Sequence, residues 1–322
     1  MKCNYRVSIL IPCYNGSQFI DRAFKSILRQ TEERIETIIV DDGSTDRSVE
    51  IAENYTHIFQ DVGHRLSIVR KLNGGAASAI KVALELSTGK YILPLDIDDE
   101  LLEDSCKIQA DYLDSNNDCG LVLTNGYKVF DDGHEKQLVR TTGQLYCKSN
   151  IFKGLLLGRI NNIPGMYMIR GSILRQYYSE HTFLITRFGQ NLQLLMPSSY
   201  LYNAGYIDIP LLKYYVHKGS HSNPGSYDRE IANLKGYLDI RICILTEMQL
   251  NTKDNLDLAH QSFYEAVLIV DAKYARRHEY NLHYEALKKY RKTNFQERME
   301  YNILNKSPWQ YFYRICSKIR IK

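Results

Sequence analysis

The stretch Lys90-Tyr91-Ile92-Leu93-Pro94-Leu95-Asp96-Ile97-Asp98-Asp99-Glu100 decides how this chain is read. A mostly apolar, strand-like run ends in the carboxylates Asp96, Asp98 and Asp99. A parallel strand buried on both faces has this apolar character, and ligands of open α/β sheets collect outside the carboxyl ends of such strands. Side chains alternate along a strand, so Asp96 and Asp98 are expected on one face, with Asp99 following the turn. Anions this close repel one another, and a cation is expected among them. A hard divalent ion that takes oxygen ligands, Mg²⁺ or Mn²⁺, suits the group. The competing reading is an acidic helix N-terminus, in which Asp99, Glu100 and Glu103 complement the dipole of a helix starting near Leu101.

Upstream, the same pattern recurs. Val7 to Pro12 is a short β-branched run that ends in the turn residues Cys13-Tyr14-Asn15-Gly16, and Phe19, Ile20, Ala23, Phe24, Ile27 and Leu28 then repeat at helical spacing. Ile35 to Val40 is a second strand followed by Asp41-Asp42-Gly43-Ser44-Thr45-Asp46, with Ser44 or Thr45 expected to cap the next helix. Alone, Asp41 and Asp42 suit turn capping as well as ligand binding. Leu66 to Val69 leads into Arg70-Lys71-Leu72-Asn73-Gly74-Gly75, where paired glycines before a helix from Ala76 to Leu86 let backbone approach a phosphate. A fifth strand, Gly120 to Thr124, follows a helix over Leu101 to Leu113. Strand–helix units in this succession predict a doubly wound α/β sheet. Neither a Gly-x-Gly-x-x-Gly fingerprint nor a Walker A loop occurs.

The 322 residues allow one large domain or a domain with an appendage. At 44% hydrophobic and 24% charged, the composition excludes disorder and a membrane bundle, and a formal charge of +4 is too small to imply nucleic-acid binding. Seven scattered cysteines without a Cys-x-x-Cys pair suit free thiols in a reducing cytoplasm. Met1 to Arg6 carries no secretory pattern, and no segment approaches the roughly 18 apolar residues of a membrane span. The expectation is a cytoplasmic protein that meets a membrane only from outside, at its inner face.

Taken together, Val7 to Asn15, Ile38 to Asp46, Asn73-Gly74-Gly75, Thr88 to Ile92 and Asp96-Ile97-Asp98-Asp99 resemble a family 2 glycosyltransferase of the GT-A fold, of the kind that assembles bacterial surface polysaccharide. Order and spacing carry the resemblance; each piece alone is weak. It implies a UDP-sugar donor along Pro12, Tyr14 and Asn15, with Asp42 taking the N3–H of uracil and Lys71 and Asn73 near base or diphosphate. Asp96 and Asp98 would face the nucleotide sugar, Asp98 and Asp99 the metal, and His217 would complete the metal shell or contact the diphosphate. The family's Ala-Arg-Asn after the glycine turn is here Ala79-Ile80-Lys81, which leaves a contact unfilled or passes it to Lys81.

Sugar transfer requires a stabilised leaving diphosphate and a base for the acceptor hydroxyl. The resemblance puts an Asp base at the start of a helix whose counterpart here is Gly189-Gln190-Asn191-Leu192. A carboxamide accepts no proton at useful pH. Three readings stay open: His221 or His217 is the base; Asn191 only orients the acceptor while leaving-group stabilisation lowers the barrier; or transfer is weak or absent, as in a nucleotide-sugar-binding scaffold of a glycan-synthesis complex. A nucleotidyltransferase would need a basic Gly-rich loop after the first strand, which Cys13-Tyr14-Asn15-Gly16 does not provide.

The expected organisation is a catalytic domain over residues 1–227 and a helical appendage over 228–322, with a Gly/Ser-rich lid at Lys218 to Tyr227. The appendage is expected to pack on the catalytic domain or on a second copy, giving a homodimer. Its tail, Pro308 to Lys322, mixes aromatics with Arg314, Lys318, Arg320 and Lys322, which suits contact with an anionic membrane carrying a lipid-linked glycan acceptor and equally an ordinary basic surface helix.

Overall fold

The computed structural model describes residues 5–138, 149–217 and 225–305. The chain divides into two compact units, Met1–Leu155 with Arg159–Lys218, and Leu156–Gly158 with Gly219–Lys322. His221, Lys218, most of the expected lid and the basic tail lie outside the described residues.

In the first unit the elements run β1 (Val7–Cys13), α1 (Ile20–Leu28), β2 (Ile35–Asp41), α2 (Ser48–Asn54), α3 (Thr56–Asp61), β3 (Arg65–Arg70), α4 (Ala76–Leu86) and β4 (Tyr91–Pro94). They continue as β5 (Glu100–Leu101), α5 (Ser105–Ser115), β6 (Cys119–Val129), β7 (Glu135–Leu138), α6 (Phe152–Leu156), β8 (Tyr167–Arg170), α7 (Gly171–Glu180), α8 (Gln190–Leu201) and β9 (Asn203–Tyr215). The strands form one mixed sheet in the order β3-β2-β1-β4-β8-β6-β9-β5, with β7 on β6. β1 pairs in parallel with both β2 and β4, so the chain reverses its direction of winding there. The carboxyl ends of β2 and β4 therefore flank the end of β1, the topological switch point at which such sheets open a ligand crevice.

Apolar patterning explains the core. β1 and β2 are buried nearly throughout, and Ile9, Ile11, Phe24, Ile27, Ile39, Tyr91 and Leu93 share one cluster. α1 turns Ile20, Ala23, Phe24 and Ile27 onto it at the spacing of a single helical face.

Several boundaries differ from those read in sequence. α5 begins at Ser105 rather than near Leu101, because Glu100 and Leu101 pair with Lys213 and Leu212 of β9. β6 extends to Val129, since β9 supplies a long parallel partner. α2 begins at Ser48, and neither Ser44 nor Thr45 caps it: the Ser44 hydroxyl accepts from the Asn15 amide at 2.8 Å, tying the β1 and β2 loops together.

Glu36 is a carboxylate inside the buried strand β2, which local pattern leaves unexplained. Its oxygens accept from Ser8 Oγ at 2.5 Å, Thr88 N at 2.5 Å and Gly89 N at 2.9 Å. Gly89 must be glycine, since a Cβ would lie 2.7 Å from the Ser8 backbone nitrogen. The carboxylate thus stitches the entrance of β4 to β1 and β2.

The second unit carries α9 (Tyr227–Glu247), α10 (Lys253–Lys273), α11 (Arg277–Leu287) and α12 (Phe295–Asn305). Leu268, Ala272, Tyr280, Tyr284 and Leu287 make its core. Buried Asp271 accepts from Tyr227 Oη at 2.8 Å and lies 2.7 Å from His283 Nδ1, so a charge inside this unit is hydrogen-bonded.

Replacing Glu36 takes the acceptor from the Thr88 amide and from the Ser8 and Thr88 hydroxyls, while the Gly89 amide keeps Ser8 Oγ at 2.8 Å. Glu36→Ala is expected to cost about 3 kcal/mol of stability, read as a lower urea midpoint with an unchanged m-value; an unaltered midpoint contradicts this account.

Candidate active site

Two clusters form at the carboxyl edge of the sheet, one after β2 and one after β4. After β2, the Asp42 amide donates to the Cys13 carbonyl at 2.8 Å, which holds the residue beside the end of β1. Its carboxylate Oδ1 accepts from Lys71 Nζ at 2.5 Å and Gly74 N at 2.9 Å, and Oδ2 from Gly75 N at 2.7 Å. Asn73 Nδ2 donates to the Asp42 carbonyl at 2.9 Å. Asp42, Lys71 and Asn73, apart in sequence, thus become one structure. Gly75, at φ +85°, lets two consecutive amides face the carboxylate and then opens α4. Each carboxylate oxygen carries two lone pairs, so Oδ2 can accept a further N–H.

Pro12 is the penultimate residue of β1, and Tyr14 stands 55% exposed just beyond it. Asn15 has a local role: at φ +50°, its Oδ1 accepts from Thr45 N at 2.9 Å. The expected nucleotide residues are therefore gathered around the switch point, with Asn15 holding the loop.

After β4, ligand oxygens of Asp96, Asp98 and Asp99 all lie within 4.8 Å of one another. Strand alternation is not what assembles them. β4 ends at Pro94, and the Asp99 amide donates to the Asp96 carbonyl at 3.1 Å, so a tight turn brings the carboxylates round. Asp99 is fully buried. Its Oδ1 accepts from the Tyr215 amide at 2.9 Å, while Oδ2 is buried with no hydrogen-bond partner. Burial and then the charges of Asp96 and Asp98 push the Asp99 carboxyl well above the usual carboxylate range, with the Tyr215 amide and Arg22 pulling the other way. Burial, with Asp98, pushes Asp96 up to about 7. A hard cation fits this donor set: it would partner the orphaned Asp99 oxygen and let all three groups ionise.

His217 sits beside this set rather than inside it. Its Nε2 lies 2.9 Å from Asp98 Oδ2, and its ring stacks on Phe19 with centroids 5.0 Å apart. Arg22, on α1, was not singled out in sequence. Its guanidinium donates to the Asp98 carbonyl and covers the Tyr215 ring at 3.6 Å. Nothing in local pattern marks it, because a cation beside the apolar stripe of an amphipathic helix looks like a solvated one.

Asn191 stands in the first turn of α8, two residues past Gly189 at φ +70°. Its Oδ1 accepts from the hydroxyl of Tyr167, a fully buried residue of β8, at 2.9 Å. Tyr167 was also missed, since a tyrosine in an apolar strand reads as core. Lys81 does not reach the nucleotide cluster in place of the missing arginine: it pairs with Glu85 at 3.2 Å and lines a cleft of about 390 Å³ between α4 and α7. Ile80 is buried in the core.

Comparisons with known proteins agree with this geometry. An uncharacterised glycosyltransferase of Haemophilus influenzae is 36% identical over 141 residues, 43% of this chain and 54% of that protein. The uncharacterised glycosyltransferase YibD of Escherichia coli is 25% identical over 289 residues, 84% of this chain and 80% of its own. The chain spans about half the length of the first curated relatives it matches, 54% and 51%. Among solved structures, Staphylococcus aureus TarS (residues 1–349) in complex with UDP-GlcNAc superposes with a TM-score of 0.55 at 20% identity, covering 95% of this chain and 92% of that one. The mannosyltransferase PcManGT of Pyrobaculum calidifontis, in complex with GDP-Man and Mn²⁺, gives 0.56 at 15% identity, covering 98% and 86%. At such identities the likeness establishes the fold, which is GT-A with a helical C-terminal region. The model of glycosyl transferase family 2 matches residues 8–178, more than half of the chain and the whole of the switch-point region, and the protein belongs to that family.

Proposed function

We propose that the protein moves a hexose-type sugar from a UDP-sugar to a glycan or lipid-linked glycan acceptor in surface-polysaccharide assembly, with Mg²⁺ or Mn²⁺ at the acidic turn. The observation that carries this reading is the pairing, across one strand end, of a caged carboxylate at Asp42 with a mutually close, partly uncompensated set at Asp96, Asp98 and Asp99. TarS with UDP-GlcNAc and PcManGT with GDP-Man and Mn²⁺ supply precedent for a nucleotide sugar on this fold.

Asp42 Oδ2 takes the imide N–H of uracil, and Tyr14, exposed at the end of β1, lies along the nucleotide. A bound cation at Asp98 and Asp99 supplies Lewis-acid stabilisation to the departing diphosphate. Arg22 holds the turn carrying these carboxylates by its backbone, so their spacing does not depend on the ion alone. His217 holds the Asp98 carboxylate through its Nε2, 2.9 Å from Oδ2. No described helix is long and apolar enough to cross a membrane.

The scaffold reading is separated by turnover. Mn²⁺-dependent UDP release from a panel of UDP-sugars is expected, and Asp99→Ala should reduce it by about 100-fold or more. Tight UDP binding with no release from any donor supports a scaffold instead.

A pH dependence follows from Asp96. Its carboxyl titrates near 7 when folded and metal-free, against an ordinary value of 3.8. Between those values the folded form holds a proton that the unfolded chain has lost, so this residue's contribution to stability falls as pH rises through the window. A cation must displace that proton. Mn²⁺ affinity should rise with pH through this window, with protons released from Asp96 and from Asp99, whose carboxyl is also pushed up, visible by calorimetry in buffers of different ionisation enthalpy; uptake without proton release would contradict the assignment.

A further inference from the structure

We propose that Tyr167 is a positioning residue that locks the Asn191 carboxamide with its oxygen turned onto the phenol and its amino group left to donate to an acceptor hydroxyl. The inference deepens the transferase reading and rests on it. It assigns Asn191 a definite role among those open in sequence: a hydrogen-bond donor that orients the acceptor.

The argument starts from burial. Tyr167 is fully buried in β8, the strand between β4, which leads to the acidic turn, and β6. A buried phenol must place its proton on an acceptor, and here that acceptor is Asn191 Oδ1 at 2.9 Å. Burial, and secondarily the charge of Asp96, hold the phenol's proton in place far above its ordinary range, so its direction of donation is fixed. An asparagine side chain offers one oxygen and an amino group with two donors. With the oxygen engaged by the phenol, the donors remain available.

The backbone supports the same geometry. Gly189 at φ +70° turns the chain into α8, putting Asn191 in the helix's first turn. Gln193 pins the preceding loop, accepting from Leu184 N at 2.6 Å and donating to the Leu184 carbonyl at 2.9 Å. Tyr178 Oη anchors the Gln193 carbonyl at 2.7 Å. The first turn of α8 is therefore held from both sides, and the phenol sets the remaining side-chain rotation of Asn191.

The test is a double-mutant cycle on Mn²⁺-dependent UDP release from UDP-GlcNAc, UDP-glucose and UDP-galactose by hydrolysis, in which water supplies the acceptor hydroxyl that Asn191 orients. Tyr167→Phe and Asn191→Ala should each lower kcat by about tenfold with the donor KM within about twofold, and the double variant should be no worse than either. Multiplying losses, or wild-type kcat in Tyr167→Phe, overturns the proposal. Thermal midpoints with UDP and Mn²⁺ check that each variant folds and binds donor. A second measurement needs no turnover. In the Asn191→Asp background, Tyr167→Phe should raise the titration of the new carboxyl by about one unit, read from stability against pH, because a donated hydrogen bond favours the ionised form. No change there overturns the contact itself. If the change appears while no donor releases UDP, the contact holds, and the transferase reading fails together with the catalytic part of this proposal.

Discussion

Crowding of carboxylates at the end of a buried strand is the constraint around which this unit is built. Asp99 is buried with one oxygen unpartnered, and Asp96 beside it is pushed up to about 7 by burial and Asp98. Taking such groups out of water is costly unless cations and donors surround them. The surroundings reflect that cost. Arg22 reaches over from α1 to the Asp98 carbonyl, β9 presents the Tyr215 amide to Asp99, and His217 meets Asp98 immediately after β9 ends. A divalent ion would fit the oxygen donors that these groups leave unmatched.

The carboxylate after β2 is handled differently. Asp42 is satisfied internally by Lys71 and the amides of Gly74 and Gly75, so it is already fixed before any ligand arrives. Pre-organisation of this kind reduces the ordering cost of binding. The two acidic sites thus differ: Asp42 is held rigidly by its own neighbours, whereas the turn carrying Asp96, Asp98 and Asp99 keeps a buried carboxylate oxygen without a partner. Glu36 is a third buried carboxylate with a purely architectural part, tying the entrance of β4 to β1 and β2 at the opposite end of the same strands.

At the start of α8, Asn191 puts an amide where the family resemblance implies a proton-accepting carboxylate. The Tyr167 contact makes that amide part of an ordered arrangement.

The strand-helix succession was legible in the sequence, because apolar runs of period suited to buried parallel strands, closed by Asp, Asn and Gly, specify where each strand stops and a ligand edge begins. Asp42, Lys71, Asn73, Asp98 and Asp99 were singled out in the sequence by residue type and family resemblance, and the fold gathers the first three into one cluster and the last two into another. Local pattern could not show that β4 ends at Pro94 and that a turn, not alternation, gathers the carboxylates. Nor could it show that Asn15 braces a loop, that Lys81 turns to Glu85, or that Arg22, Tyr167 and Tyr215 stand behind the site. These depend on contacts between residues far apart along the chain, and an arginine on a helix or a tyrosine in a strand carries the same local signature whether it packs quietly or holds a catalytic group. Periodicity records which face is buried; only the tertiary structure decides which buried polar group meets which.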